Sequence, residues 1–588
     1  MQGITFKAKA AIVTKSLTYF GAAGNGLFDV VSVTNNTEAF IKAGIFFSNF
    51  LAPGDEGILT IPSTFQGQNA VYYVGKQIPT GQSYTVTCTD IMPGATVSSS
   101  VTRTFTSGDA LFAGFIDGML YIENTKNKNI KITIEGSDAQ NPPLIKYVDG
   151  LYFGSFIKPG YTYTVYDGGT PPVILYQFTN NTNNTVPMPE AGWNFYNSDE
   201  KTKAWIGHFI GVYYSDDVTI QHIRIDGNNT HFNWGGTYGD RGIQLPHTGI
   251  SCKESFHISI DDVVVNNMGF DGILIDDGTE NVLINNTHCI ANTRGGLSWT
   301  GGKWLTATNC QFNESGKGPY SPTLANPGTG LDIEPDIPDV CENGSFTNCE
   351  FSGNNGPAIS NAPLVAAATD NMQFENCTMY SNREVGIICT GKNFFFENCK
   401  IYARVLYSSV GNVQADATHY KGCVFEDRAY NNTEHWDHPK QLIEISGYEN
   451  IGIAMKWTLF EDCDFRVNDD NREMFKIWSM GPTANISEAT IFDNCNFTYN
   501  NDGNTTDNNT SILSGILFKG NNLVKNTNTA STSKHQWQMN SIEIEGSENA
   551  CTPNKFEVEG NFIIAQLAYT PNILLFGNIL LAIVLQVF

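Results

Sequence analysis

Hydrophobic and polar residues follow a repeated pattern from about residue 206 onward. Each repeat has a turn containing glycine, a short alternating strand, a second strand and an asparagine-rich turn. The first strands begin at the apolar residues Ile250, Ile273, Leu297, Leu331, Ile359 and Ile387, which are 23, 24, 34, 28 and 28 residues apart. Self-similarity at this period is typical of stacked supersecondary units.

This pattern predicts an all-β chain, a right-handed single-stranded parallel β-helix. One coil cannot bury its own interior, whereas coils stacked about 4.8 Å apart form a continuous core and pair their backbones. The alternative, a β-sandwich, would need turns about every 8 to 12 residues. The 34-residue repeat is then one coil with a loop of about ten extra residues, Ser315–Thr329, rich in glycine and proline.

The first part of the chain is organised differently. The spacing of apolar residues in Thr37–Phe50 predicts an amphipathic helix with Thr37 as its N-cap. This helix would cover the open edge of the first coil. Two related segments, Tyr73–Val86 and Tyr152–Val165, predict a duplicated β module.

We therefore expect four segments along the chain: 1–66, a leader with capping helix and first strand; 67–180, the inserted module; 181–525, the β-helix; and 526–588, a C-terminal cap or oligomerisation region.

Composition narrows the partners of the chain. The 588 residues carry a net charge of −25 and have only 16% charged residues. A nucleic-acid backbone would be repelled by that charge, so we expect no nucleic-acid partner. An acidic surface exposed to water and without any partner is the alternative.

Seven of the 13 cysteines recur in one local setting, directly after an asparagine, aspartate or glycine. The cysteines form neither the close pairs of a zinc site nor the framework of a short secreted domain. We therefore expect a column of reduced cysteines in the core and assembly in a reducing cytoplasm. The members of this set are Cys310, Cys349, Cys377, Cys399, Cys423, Cys463 and Cys495.

The two ends of the chain predict neither a signal peptide nor a membrane anchor. Met1–Ser16 contains three lysines and no uninterrupted apolar stretch. Ile573–Phe588 is strongly apolar, but it has 16 residues and includes Asn578 and Gln586, whereas a spanning helix needs about 20 apolar residues. A buried or subunit-interface strand pair is the favoured interpretation.

The segment Tyr19–Gly26, with Thr37–Phe40 and Gly57–Phe65, resembles the N-terminal signature of the pectate-lyase-like β-helix superfamily. Asn25 stands where that family usually has Asp. The superfamily includes tailspikes of bacterial viruses, polygalacturonases, pectate lyases and non-catalytic adhesins. The absence of a predicted signal peptide and the buried thiols favour the tailspike branch. This resemblance implies a homotrimer in the virion tail, bound to other tail proteins and to a bacterial surface polysaccharide.

Candidate chemistry lies on the strands around the long loop. If Ile273, Leu297 and Leu331 point inward, the columns Leu274, Ser298, Asp332 and Asp276, Thr300, Glu334 point outward. Glycosidases need two carboxyl groups about 5 to 9.5 Å apart, and strand spacing predicts about 7 Å between Asp332 and Glu334. We therefore expect Asp332, Glu334 and Asp276 to be catalytic, and Asp336, Asp277, Trp304 and Tyr320 to bind substrate, with Trp299 inward.

Alternatives for the same residues remain. The carboxylates can form a plain solvated face or bind Ca²⁺ through oxygen ligands; we otherwise expect no cofactor or metal. A polygalacturonase is disfavoured because the sequence lacks Gly-His-Gly. Three function hypotheses follow. The first is a phage tailspike that binds polysaccharide, with or without depolymerising it. The others are a free polysaccharide-degrading hydrolase or lyase outside the cell, and a non-catalytic adhesin or structural virion protein.

Overall fold

The structure, a computed structural model, describes two compact units, residues 1–298 with 314–328, and residues 299–313 with 329–588. Within them the described residues are 10–75, 83–90, 99–106, 118–149, 208–231, 247–316, 327–361, 363–408, 414–427, 441–446, 457–468, 473–478, 490–500, 510–526, 536–544 and short isolated strands. Both units are built from parallel strands on three sheets, as predicted for a parallel β-helix.

In the first unit, each coil passes through the three sheets in order. Sheet 1 contains Leu120–Glu123, Ile210–Tyr213, Ile250–Lys253 and Ile273–Asp276. Sheet 2 contains Ile12–Ser16, Glu56–Ile61, Lys131–Gly136, the starts of Asp216–Asp226 and Phe256–Asn266, and Glu280–Asn285. Sheet 3 contains Val71–Val74, Leu144–Tyr147, the ends of the two long strands and His288–Ile290.

The second unit repeats this arrangement. Sheet 1 contains Leu331–Ile333, Ile359–Ser360, Gln441–Ser446 and Glu473–Trp478. Sheet 2 contains Gly302–Thr308, Cys341–Thr347, Thr369–Glu375, Lys392–Glu397, Thr418–Lys421, Thr458–Glu461 and Thr490–Asp493. Sheet 3 contains Gln311–Asn313, Glu350–Asn354, Val424–Glu426, Asp464–Val467, Asn496–Tyr499, Asn522–Asn526 and Phe556–Glu559. Longer strands that bend between sheets are Thr378–Cys389, Lys400–Ser408, Thr510–Lys519 and Gln536–Ile544.

Two ladders of identical or similar side chains fill the core of the second unit. Aromatic rings stack with centroids 4.7 to 5.5 Å apart from Phe346 through Phe374, Phe396, Tyr420, Phe460 and Phe492 to Phe518. The predicted cysteine column is confirmed: every described cysteine is free and buried. Sulfur atoms from Cys349 to Cys495 each lie 3.3 to 3.5 Å from two backbone carbonyl oxygens, one of them on the preceding coil.

The residue before each of these cysteines explains the repeated motif. It adopts a left-handed backbone with φ between 53° and 62°, which turns the chain from sheet 2 into sheet 3. Asparagine, aspartate and glycine tolerate this conformation better than other residues do. The set comprises Asn309, Asn348, Asn376, Asn398, Gly422, Asp462 and Asn494.

The predicted capping helix is present, but it begins earlier than predicted and spans Val30–Asn49. The prediction of Thr37 as N-cap is wrong, because the Asp29 carboxylate accepts hydrogen bonds from the backbone N–H of Val31 and Ser32. Thr37 lies inside the helix. The Ser48 hydroxyl donates to the Tyr121 carbonyl and accepts from the Glu123 N–H, so the helix satisfies backbone groups along the first edge of sheet 1.

The division of the chain into four segments remains a prediction. Strands of the second and fourth segments take part in the coil. In the second segment, each of the two related sequences runs into the first strand of an antiparallel hairpin. The hairpins are Ser83–Asp90 with Ser99–Thr106 and Thr162–Tyr166 with Ile174–Thr179. In the fourth, Ile573–Leu575 pairs in parallel with Ile542–Ile544, and Ile563–Gln566 pairs with the start of the same long strand. Among the helices that the structure describes, none has the length and apolar character to cross a membrane.

Candidate functional site

The acidic segment predicted from the sequence follows sheet 1 of the second unit. Its strand, Leu331–Ile333, is short, and the chain then turns out to the surface. Backbone hydrogen bonds fix this turn: the N–H of Glu334 donates to the Trp299 carbonyl at 3.0 Å, and the N–H of Asp336 to the Thr300 carbonyl at 2.8 Å. Glu334 and Asp336 are exposed. Their carboxylates therefore project from an anchored backbone, as a ligand-binding surface requires.

Asp332 differs from these two carboxylates. The outward column that contains it was predicted to face solvent, but Asp332 is only 3% exposed and Ser298 is fully buried. This expectation of exposure is wrong because alternation along a strand sets only the direction of a side chain, whereas other parts of the protein decide whether it meets water. A buried and an exposed carboxyl group, two residues apart, therefore occupy different environments.

Trp304 is exposed and Trp299 is buried, as predicted. Trp299 is fully buried and its Nε1 donates to the Gly301 carbonyl at 3.1 Å. Trp304 is 46% exposed and has a left-handed backbone with φ of 58°. That conformation is uncommon for so bulky a side chain. The exposed indole makes Trp304 a candidate for contact with a ligand.

A second tryptophan, which the sequence analysis missed, occupies the same position on another coil. The register of sheet 2 places Trp304 beside Asn343, and then passes through Asn371, Asn393 and Ala417 to Trp457. Trp457 is half-buried and also left-handed, with φ of 59°. Five coil steps of about 4.8 Å separate the two backbone positions by about 24 Å along the coil axis.

The predicted site residues of the first unit, Asp276 and Asp277, lie at the end of a sheet 1 strand. Lys253 is the neighbour of Asp276 in the register, and its ammonium forms an ion pair with Asp277. Burial lowers the pKa of Lys253, but the hydrogen bond to Asp277 and the charges of both aspartates outweigh it, so the pKa is raised. Lys253 thus holds a positive charge against these carboxylates. Lys253 was not predicted from the sequence, because the pairing depends on the strand register.

An aromatic pair lies at the same edge of the first unit. The Lys126 ammonium is 5.5 Å from the ring centre of Tyr214 and 5.7 Å from that of Phe256, and it donates to the Glu254 carbonyl at 3.1 Å. Such cation–π geometry holds both rings in place. Tyr320, predicted to bind substrate, lies outside the described residues.

Comparisons with known proteins find similar folds only. No family model and no curated protein sequence matches this chain. Among solved structures, the tailspike protein of E. coli bacteriophage HK620, in complex with a pentasaccharide, has a TM-score of 0.38 and 12% identity over 94% of this chain and 80% of that chain. The A-module of Azotobacter vinelandii mannuronan C-5 epimerase AlgE6 has a TM-score of 0.37 and 11% identity over 94% and 99%. The Streptococcus pneumoniae surface adhesin PfbA has a TM-score of 0.30 and 11% identity over 94% and 93%. Similarity at this level assigns no function.

Proposed function

We propose that this protein binds an extended polysaccharide along the second unit, parallel to the coil axis. The observation that carries the proposal is the pair Trp304 and Trp457, which share one left-handed position on coils about 24 Å apart. An indole offers a flat apolar face and an N–H donor, which suits the mixed surface of a sugar ring. A ligand that contacts both indoles must be a polymer of several units.

The carboxylates support the same proposal. Glu334 and Asp336 are exposed on a turn whose backbone is hydrogen-bonded to Trp299 and Thr300. Trp304 lies four residues after Thr300 in the chain. Exposed carboxylates accept hydrogen bonds from sugar hydroxyl groups. The finer proposal is that the polysaccharide is a bacterial surface glycan and that the protein is a trimeric phage tailspike, which rests on the sequence resemblance. A stable monomer in sedimentation analysis would contradict that finer part.

The test uses asparagine in place of each tryptophan. Asparagine stands at this position on three coils between the two tryptophans, as Asn343, Asn371 and Asn393, all left-handed, so Trp304→Asn and Trp457→Asn introduce a residue that suits this backbone. Binding to capsular and O-antigen polysaccharides is measured by calorimetry. We expect each variant to lose at least about 10-fold in affinity, as residues central to an interface do. The matched control, Asn376→Gly, also changes a left-handed, exposed position of the second unit, but at the turn from sheet 2 into sheet 3 and outside this column, so it should bind as the unmodified protein does. Equal affinity of all four proteins would refute the proposal.

Hydrolysis of the bound glycan is the second candidate, favoured by the different environments of Asp332 and Glu334. A glycosidase needs one carboxyl group as general acid and another as base or nucleophile, and such a division of roles calls for two different environments; of these two carboxyl groups only that of Asp332 is buried. Sizing of the glycan after incubation tests this function. Cleavage should disappear in Asp332→Asn and in Glu334→Gln but persist in the surface control Glu375→Gln. Intact glycan after long incubation, with binding retained, would exclude it.

A further inference from the structure

Away from the proposed glycan surface, a cluster in the first unit combines two carboxylates and an imidazole. The register of sheet 2 pairs Val218 with Ile258, which places Asp217 beside His257 on the next coil. The His257 Nδ1 atom lies 2.7 Å from Asp216 Oδ1 and 4.0 Å from Asp217 Oδ1. One ligand atom from each of these residues lies within 4.8 Å of the other two. The three side chains therefore converge on one point of the surface.

The separations fit a bound transition-metal ion. Zn²⁺ binds imidazole nitrogen and carboxylate oxygen at about 2.0 to 2.2 Å, so two ligand atoms in a tetrahedral site lie about 3.4 Å apart. The distances of 2.7 Å and 4.0 Å from His257 Nδ1 bracket that value. Small rotations of the half-exposed side chains would bring the three atoms into place, and water would supply the fourth ligand.

The backbone that carries these side chains is already fixed. The Asp216 N–H donates to the Thr125 hydroxyl at 2.7 Å, and the Thr125 hydroxyl in turn donates to the Asp216 carbonyl at 3.0 Å. The Asp216 carboxylate accepts the N–H of Asp217 at 3.0 Å. Because strands on adjacent coils hold the ligands, binding an ion requires little ordering of the chain.

We propose that Asp216, Asp217 and His257 form a binding site for a divalent transition-metal ion of the Zn²⁺ class. A mixed nitrogen and oxygen ligand set favours Zn²⁺, Co²⁺ or Ni²⁺, whereas Ca²⁺ needs six to eight oxygen ligands. The Lys131 ammonium lies 4.0 Å from the second oxygen of Asp217 and competes with the ion for this carboxylate. Lys131 is largely exposed, so an arriving ion can displace it into water.

The experiment titrates untagged protein with Zn²⁺ and, separately, with Ca²⁺ in a calorimeter, and records the visible spectrum of bound Co²⁺. We expect His257→Ala and Asp217→Asn each to weaken Zn²⁺ binding by at least about 10-fold, since one of three protein ligands is lost. Lys131→Met should strengthen it. The matched control is His288→Ala, a half-exposed histidine elsewhere in the same unit, which should leave the titration unchanged.

The outcomes separate clearly. Loss of one Zn²⁺ equivalent and of the Co²⁺ spectrum in His257→Ala, with unchanged far-ultraviolet circular dichroism, supports the site. Identical Zn²⁺ titrations of His257→Ala, Asp217→Asn and the unmodified protein would overturn it. Tighter binding of Ca²⁺ than of Zn²⁺ would also overturn it, because the imidazole would then contribute nothing. These results are independent of glycan binding, since the proposed glycan surface belongs to the other unit.

Discussion

Replacing His208 should remove much of the acid sensitivity of the first unit. His208 is 4% exposed and lies two residues before the sheet 1 strand Ile210–Tyr213. Its Nδ1 atom accepts the backbone N–H of Thr248, on the next coil, at 2.9 Å. An imidazole that accepts a hydrogen bond at Nδ1 carries its proton on Nε2 and is neutral. Protonation would turn this acceptor into a donor facing a donor and would place a charge in the core.

The magnitude follows from the proton affinities of the folded and unfolded chains. Burial lowers the pKa of His208 from 6.5 to about 4. The unfolded chain therefore binds the proton more tightly, and the free energy of unfolding falls as the pH decreases from about 6.5 towards about 4. At pH 5 the loss is about 2 kcal/mol, and it approaches about 3 kcal/mol below pH 4. His247 is also buried; burial and the nearby His208 lower its pKa, so it adds to the effect in the same direction.

The assay compares urea unfolding of the unmodified protein and His208→Asn at pH 7.5 and pH 5. The asparagine oxygen can accept the Thr248 N–H in place of Nδ1 but does not titrate. At pH 7.5 the variant pays only for imperfect packing. Between pH 7.5 and pH 5 it should lose about 2 kcal/mol less than the unmodified protein. An equal loss in both proteins would refute the assignment of acid sensitivity to His208.

Three further predictions concern the core. Phe396→Ala removes a ring from the aromatic ladder and should lower the free energy of unfolding by about 3 to 5 kcal/mol in urea melts, whereas Phe395→Ala, at a half-exposed position, should cost clearly less. Gly249→Ala would bring a Cβ within 2.1 Å of Val265 Cγ1, and we expect a loss of about 1 to 3 kcal/mol in the same assay. Tyr72→Phe removes the hydroxyl that donates to the Pro62 carbonyl at 2.9 Å and should cost about 1 kcal/mol, with an unchanged melt contradicting this reasoning.

Much of the fold could be predicted because the repeat is encoded locally. The residue that precedes each core cysteine tolerates a left-handed turn, and the cysteine then enters the core. Each coil packs only against the coils next to it, so the same pattern of turn and core residues serves on successive coils. The helix start was missed for the opposite reason. The run Val30–Asn36 has weak helix propensity and no apolar face of its own, and the Asp29 cap together with packing decides its conformation.

The site could be predicted less well, because its members are joined by register and covered by other parts of the chain. Asp332 has the strand position of an exposed residue and is buried nonetheless. Lys253 and Asp277 lie on adjacent coils and are more than twenty residues apart in sequence. Because the length of the repeat varies, the sequence alone does not show that these two residues are neighbours. Trp457 follows residues that carry no repeat signal, so only the strand register places it in the column of Trp304.

The left-handed position at the start of sheet 2 connects the two proposals. On successive described coils it holds Asn281, Asn343, Asn371 and Asn393, all with φ between 53° and 63°. Asparagine suits this backbone, so local stability is enough to explain the residue on these four coils. Asp217 and His257 adopt the same φ range and belong to residue types that also tolerate it. Trp304 and Trp457 adopt it as well, but they lack any polar group near the backbone to offset the cost. Backbone conformation therefore gives no reason for an indole at this position, which is consistent with the proposed contact between the indoles and a ligand. Under the two proposals, the same position would carry ligand-binding side chains in each unit: Asp217 and His257 for a metal ion in one, and two aromatic platforms for a glycan in the other.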